Sequence, residues 1–247
     1  MADERATIAN MRAITLSREY GSGGGEVAAR LARRLNWQVL DHEVVARVAR
    51  TLGISEAEAE AYDDPVESLA TRILNTLPLL QPMLPAAVDV PLSIISRAVH
   101  EARCQIIDSA VAMGQVVIVG RGAQAHLAHR RDVFHVRIVA PLEARIAYVM
   151  HREGRDHAAA RARILHKDDE RRRYLQTYYH CEPADAHLYD LVVNTGILDL
   201  DSVVDVIRLA LERKARRLAA PTQELGPMAG LAPYPGRPED FPPRREA

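Results

Sequence analysis

Short apolar runs alternate with helical patterns along most of this sequence. Five runs have the length and composition of β-strands, at residues 13–16, 37–40, 116–119, 133–139 and 190–194. The run 116–119 contains only β-branched apolar residues, which is typical of a strand covered by helices on both faces. The alternation predicts an α/β fold with a mostly parallel sheet of about five strands flanked by helices.

Helical periodicity fills the intervals between these runs. After the first run, Val27, Leu31 and Leu35 recur at helical spacing, with arginines on the opposite side, which predicts an amphipathic helix. The region 55–114 is predicted to be helical, although prolines interrupt its middle, and its last helix covers residues 92–113. The strongly charged stretch 151–179 is predicted to form a helix or a pair of helices.

The two ends of the sequence differ in composition from the middle. Residues 1–12 are expected to be a short disordered lead, and residues 13–215 a single domain. From residue 216 the chain is rich in proline, which predicts a disordered tail over 216–247. A role for this tail in assembly is conceivable, but its mixture of arginine and glutamate indicates a solvated linker.

Composition and charge narrow the function classes. The formal net charge is -1, whereas proteins that bind polyanions show a basic excess, so we expect no nucleic-acid partner. Small phosphorylated ligands need only a few arginines.

Cys104 and Cys181 form no disulfide framework, and His180 beside Cys181 has no second pair at ligand spacing, so no metal site is predicted. No apolar segment suits a membrane helix or signal peptide, so we expect a soluble, cytoplasmic protein without a membrane partner. The oligomeric state stays unknown.

A glycine-rich turn follows the first predicted strand. Such turns point backbone N–H groups at anionic oxygens, and the helix start adds its positive end. The residues predicted to bind phosphate here are Ser17, Arg18, Gly21, Ser22, Gly23, Gly24 and Gly25. Aligned with the pattern G-x-x-x-x-G-K-[ST], Gly24 stands at the lysine and Gly25 at the hydroxyl residue, so the pattern is incomplete. The alternative is a flexible turn, but three consecutive glycines exceed what turning requires, which favours phosphate binding.

Basic side chains elsewhere suit a phosphorylated ligand. Arg121 directly follows a buried strand, at the sheet edge where open α/β sheets bind ligands, although a salt bridge is the alternative. Arg163, Lys167 and Arg171 are four residues apart and share one helix face, unless that face is merely solvated. Asp41 follows the second strand, where it can contact Mg²⁺ or an acceptor group, or cap a helix.

Five segments in the same order resemble the cytidylate kinase-like family. They are residues 14–24 with 41–43, residues 119–123, residues 140–145, residues 167–171 with Tyr174, and residues 189–195. Together they cover about residues 13–210. The resemblance implies a three-layer P-loop NTPase-like fold, with an acceptor-side helical insertion at about 55–114 and a helical lid at about 151–179.

The same resemblance implies a reaction. In it, the γ-phosphoryl group of ATP, bound with Mg²⁺, moves to CMP or dCMP. Arg121, Arg171 and Lys167 would then act on the transferring group, while Arg163 and Asp41 join the turn in nucleotide binding. Asp168 and Glu170 are expected to orient the basic side chains rather than to bind metal.

Departures from the family pattern leave two functions open. The turn has no lysine, Gly25 stands where related sequences often carry arginine, and Gly122 replaces an acidic residue of the cytidylate kinases. One well-placed cation on the transferring group is worth about 10³-fold or more in rate, and Arg18 and Arg121 are the candidates to supply it. The first candidate is therefore a nucleoside monophosphate kinase with an altered loop. The second is a non-catalytic nucleotide-binding protein that signals or docks a partner.

Overall fold

A single parallel sheet organises the protein. The computed structural model describes residues 7–41, 92–221 and 224–226. Its strands are β1 (Ala13–Arg18), β2 (Gln38–Leu40), β3 (Val116–Val119), β4 (Val133–Val139) and β5 (Leu191–Asn194). They lie in the spatial order β2-β3-β1-β4-β5, and every pairing is parallel. The five predicted strands and their parallel arrangement are confirmed.

Helices connect the strands. They are α1 (Gly24–Leu35), α2 (Leu92–Met113), α3 (Ala123–His126), α4 (Leu142–Glu153), α5 (His157–Tyr179) and α6 (Leu200–Arg216). The charged stretch 151–179 is divided between two helices. Gly154 ends α4 with a left-handed φ of 64°, and the Asp156 carboxylate caps α5 by accepting from the Ala159 amide at 2.8 Å. None of the helices in the described ranges combines the length and apolar character needed to cross a bilayer.

The helices cover both faces of the sheet, as alternation along β3 shows. Val117 and Val119 pack into the core formed with α1 and α6, whereas Val116 and Ile118 pack into the core formed with α2. A strand buried on both sides has no polar face, which explains its continuous apolar sequence. The three-layer α/β architecture is thereby confirmed.

Two predictions about the ends need correction. The disordered lead is wrong for residues 7–12, because Ile8 and Met11 are buried in the main core and the Arg12 amide donates to the Asp132 carbonyl at 2.8 Å. The tail begins later than residue 216, since Arg131 donates to the carbonyls of Arg217 and Ala220 at 3.1 and 2.8 Å. The predicted helices of 55–91 and most of the tail lie outside the described residues.

Candidate functional site

A cleft lies where the carboxyl ends of β1 and β3 meet the lid helix α5. Its volume is about 470 Å³. Ser17 and Arg18 line it from β1, Arg121 from the loop after β3, and Lys167 and Arg171 from α5. Residues far apart in the sequence meet here because parallel strands present their carboxyl ends at one sheet edge. Five of the predicted residues, from three segments, thus line one cleft, whereas residues 21–25 of the turn and Asp41 are not part of its lining.

The glycine-rich turn is a rigid structure rather than a loose connection. Gly21 and Gly23 have left-handed φ values of 79° and 74°, which glycine adopts without strain. The Ser22 hydroxyl donates to the Glu19 carbonyl at 2.9 Å, and the Ser22 carbonyl accepts from the Thr195 hydroxyl at 2.8 Å. Ser22 therefore closes the turn through its side chain, which does not line the cleft.

Helix α1 starts directly after this turn, and its first residue, Gly24, is buried. Gly23 is the N-cap residue, and no side chain of the described residues caps the helix there. Gly24 is buried, whereas Gly25 is exposed and has nothing within 4 Å of the position of a Cβ atom. Backbone amides at a helix start, without a capping side chain, suit a phosphate oxygen.

Arg121 lies in the most unusual backbone of the site. Gly120, Arg121 and Gly122 all have left-handed φ values, of 75°, 63° and 69°. Two of these residues are glycines, but an arginine in this conformation carries strain, which concentrates at functional sites. The strained backbone presents the guanidinium to the cleft.

The Arg121 guanidinium is an unsatisfied cation within the described part of the protein. Its Nη2 atom is buried and has no hydrogen-bond partner there. Burial lowers the pKa of Arg121 to about 10, and the nearby cations of Arg18 and Arg171 act in the same direction. The group still carries its charge at neutral pH. A buried guanidinium nitrogen without a hydrogen-bond partner among the described residues is costly, which indicates that this position suits an anion.

The lid helix contributes two of the three predicted residues. Lys167 and Arg171 line the cleft, whereas Arg163 lies outside its lining. The Arg163 Nε atom donates to the Tyr20 hydroxyl at 3.0 Å and lies 2.8 Å from a Glu153 carboxylate oxygen. Arg163 therefore joins α4, α5 and the turn.

Asp168 holds the lid helix on the glycine-rich turn. One carboxylate oxygen accepts from the Tyr20 amide at 2.8 Å, and the other accepts from Arg145 at 2.5 Å. Arg171 lies 3.5 Å from Asp168 and donates to the Arg18 carbonyl at 3.1 Å. Glu170 likewise lies 2.8 Å from the Lys167 ammonium. These contacts agree with the expectation that both acids orient basic side chains.

The cleft has a large excess of positive charge. Among its described lining residues one, Glu170, is acidic. The basic residues are Arg18, Arg103, Arg121, Arg137, Lys167, Arg171 and Arg173. Arg103, Arg137 and Arg173 were not predicted from the sequence. The available signal for Arg137 was a charged residue inside the apolar run of β4; in the structure it is buried, and its Nη1 atom donates to the Ser17 hydroxyl at 3.4 Å. Such a surface suits a ligand with several phosphate charges.

The donor set for a magnesium ion is sparse in the described residues. They contain no group of three His, Cys, Asp or Glu side chains arranged to hold a metal. Asp41 lies 3.7 Å from Arg18 at the end of β2, and the residues after it are outside the description, so its capping role is untested. Mg²⁺ commonly keeps several waters and binds through substrate phosphates with one or two carboxylates, and Asp41 fits that role.

Comparisons with known proteins agree with this geometry. The chain is 28 % identical over 207 residues to a cytidylate kinase of Ignicoccus hospitalis, covering 81 % of this chain and 99 % of that protein. A uronate isomerase of Corynebacterium glutamicum is 31 % identical over 98 residues, which are 40 % of this chain but only 19 % of that protein.

A solved structure supports the fold. An uncharacterized protein from Eubacterium ventriosum superposes with a TM-score of 0.60 at 21 % identity, covering 81 % of this chain and 98 % of that one. The sequence model described as "Cytidylate kinase-like family" matches residues 13–197, three quarters of the chain. The chain therefore belongs to the cytidylate kinase-like family.

Proposed function

We propose that this protein transfers the γ-phosphoryl group of ATP to a nucleoside monophosphate, with CMP or dCMP as the first acceptors to test. The observation that carries the proposal is the buried Nη2 atom of Arg121, which has no partner among the described residues and lies in a cleft lined by further cations. Family membership supports the reaction class. In this proposal, the phosphoryl group that passes from donor to acceptor is the hydrogen-bond partner of the Arg121 Nη2 atom.

Phosphoryl transfer requires the protein mainly to position the two substrates and to supply positive charge. A phosphate oxygen of the acceptor attacks the γ-phosphorus, and the bond from that phosphorus to the β–γ bridging oxygen breaks. The bond's electron pair leaves with ADP, and the acceptor becomes a nucleoside diphosphate. Arg121 and Arg171 stabilise the charge on the equatorial oxygens of the transferring group, and Lys167 adds a further cation from the lid.

Mg²⁺ would arrive with the nucleotide phosphates and neutralise the charge that develops on the β–γ bridge. The backbone amides at the start of α1 would hold the phosphates of the donor. In this proposal α5, whose Asp168 carboxylate accepts a hydrogen bond from the Tyr20 amide of the turn, would shield the reacting groups from water.

The second candidate is a nucleotide-binding protein without catalysis. The observation that favours it is the absence of both a lysine and a hydroxyl at positions 24 and 25 of the turn. A nucleotide would then hold the lid on the turn, and the closed surface would signal or dock a partner. Both functions use the same cleft, so a measurement of turnover separates them.

The experiment is phosphoryl transfer by the purified protein with ATP, Mg²⁺ and a panel of nucleoside monophosphates. We expect turnover on one acceptor and a loss of about 10³-fold in kcat/KM for Arg121→Ala. Arg172→Ala is the matched control, because Arg172 lies on the same lid helix but pairs with Asp169 outside the cleft. Absence of turnover with nucleotide binding retained would replace this proposal with the non-catalytic one.

A further inference from the structure

We propose that Arg18 supplies the phosphate-binding cation that lysine provides in other loops of this type, and that Gly24 is glycine to make room for it. This inference rests on the proposed function, since it concerns how the same cleft binds the donor phosphates. The lysine position of the pattern is Gly24, and Arg18 stands at the opposite end of the turn.

The side chain of Arg18 occupies the space above Gly24. A Cβ atom on Gly24 would lie 2.8 Å from Cδ and 2.9 Å from Cβ of Arg18, and 3.3 Å from a Leu16 methyl carbon. Gly24 has no left-handed φ, so backbone conformation does not explain the glycine. The aliphatic stem of Arg18 therefore excludes a side chain, lysine included, at residue 24.

The stem carries the guanidinium into the cleft. Its Nη1 atom lies 3.1 Å from the position that a Cβ atom of Gly120 would take, in the loop before Arg121. Arg18 lines the cleft, and its side chain is only 16 % exposed. One arginine thus accounts for close packing at Gly24 in the turn and at Gly120 in the loop after β3.

The charge of Arg18 is only weakly balanced. Among the described residues its ion-pair partner is Asp41, at 3.7 Å and 42 % exposed, which is beyond hydrogen-bond distance. A guanidinium has five N–H donors in a planar fork, so within the described part of the protein this ion pair leaves donors for a phosphate. Arg171 donates to the Arg18 carbonyl at 3.1 Å and fixes the backbone from which the side chain starts.

The steric part of the proposal predicts coupling between residues 18 and 24. Gly24→Ala should lower the midpoint of urea unfolding in the wild-type background, because the new methyl group meets the Arg18 stem. The same substitution should lower it much less in an Arg18→Gly background, where both the Cβ and the Cδ atom that the methyl group meets are gone. Equal losses in the two backgrounds would show that the Arg18 side chain does not exclude a side chain at residue 24, and would overturn this part of the proposal.

The electrostatic part is tested by moving the cation. Arg18→Met keeps a stem but removes the charge, so we expect at least a tenfold weaker affinity for ADP by isothermal titration calorimetry, with circular dichroism unchanged. Arg18→Gly should lose a similar factor. The double variant Arg18→Gly/Gly24→Lys should regain most of the loss, since it removes both close contacts at residue 24 and places a lysine there.

The outcomes distinguish this inference from the proposed function. If the wild type transfers phosphoryl groups while Arg18→Met keeps its ADP affinity and kcat, the inference is wrong and the function stands. If ADP affinity falls and is regained as described but no acceptor is phosphorylated, the inference stands and the kinase proposal fails. A wild type that binds neither ADP nor tripolyphosphate contradicts both.

Discussion

At the scale of single residues, the loop after β3 shows the strongest local constraint. Gly122 has a φ of 69°, and a Cβ atom on it would lie 2.7 Å from the ring of Tyr179 and 3.2 Å from that of Tyr174. The acidic residue that cytidylate kinases carry at this place would therefore meet the two tyrosine rings in this protein. If the proposed function holds, specificity for the base comes from other groups.

Gly122→Ala should therefore be destabilising. We expect the free energy of unfolding to fall by about 1–3 kcal/mol, because the variant combines a left-handed φ with a contact to Tyr179. Urea denaturation measures the loss. Gly25→Ala is the matched control: Gly25 lies in α1 with nothing within 4 Å of its Cβ position, so alanine should be neutral or stabilise by up to about 1 kcal/mol. Equal losses for the two variants would contradict the steric explanation.

At the scale of elements, the contact between α5 and the glycine-rich turn decides how the site is assembled. Asp168 accepts hydrogen bonds from the Tyr20 amide and from Arg145, and the Tyr20 ring lies under the guanidinium groups of Arg163 and Arg171 at 5.6 and 5.4 Å. Cation–π contacts of this kind add to the ion pairs. Helix α5 and the glycine-rich turn are thus held together by these contacts.

Removing the Asp168 carboxylate should loosen that unit. Asp168→Ala removes the acceptor of the Tyr20 amide and the 2.5 Å ion pair of the largely buried Arg145, which keeps only longer contacts to the Tyr20 carbonyl and Glu19, so we expect a loss of about 1–3 kcal/mol in unfolding free energy. Asp168→Asn keeps an oxygen for the Tyr20 amide and should lose less. ADP affinity should fall in the same order, because Arg171 is held beside the turn by Asp168. If Asp168→Asn lost as much stability and ADP affinity as Asp168→Ala, the negative charge of Asp168 alone would explain the effect.

The elements were largely predictable from the sequence, and the site only in part. A continuous apolar run such as Val116–Val119 indicates a strand that is covered on both faces of a sheet, and the structure has a buried strand with those bounds. The face shared by Arg163 and Arg171 was also predictable from spacing. The sequence did not predict which of these arginines lines the cleft, because that depends on the contacts that Arg163 makes with Tyr20 and Glu153.

At the scale of the whole molecule, a buried histidine joins several elements. His135 on β4 is the register partner of Thr15 on β1, and its Nδ1 atom lies 2.7 Å from the Thr15 hydroxyl. Its backbone amide donates to Asp190 at 2.8 Å, and Asp190 pairs with Lys214 of α6 at 2.6 Å. Strands β1 and β4, the residue that precedes β5 and the last helix are thus linked through His135 and Asp190.

Acid should therefore destabilise the protein through His135. Burial lowers the pKa of His135 to about 4, Lys214 acts in the same direction, and Asp190 opposes them. The unfolded chain, with a pKa of about 6.5, binds the proton more readily. The neutral imidazole thus contributes stability that is complete above about pH 6.5 and is lost as the pH falls towards 4, in total about 3 kcal/mol.

The variant His135→Asn isolates this contribution, because an amide can keep the bond to Thr15 but does not titrate. Chemical denaturation of both proteins from pH 7 to pH 4 gives the difference in unfolding free energy at each pH. Other titrating groups are common to both proteins and cancel in this difference. We expect the wild type to lose about 3 kcal/mol relative to the variant over this range, whatever the variant costs at pH 7. A difference that stays constant with pH would show that His135 has the same proton affinity in the folded and unfolded chains, and that acid sensitivity arises elsewhere.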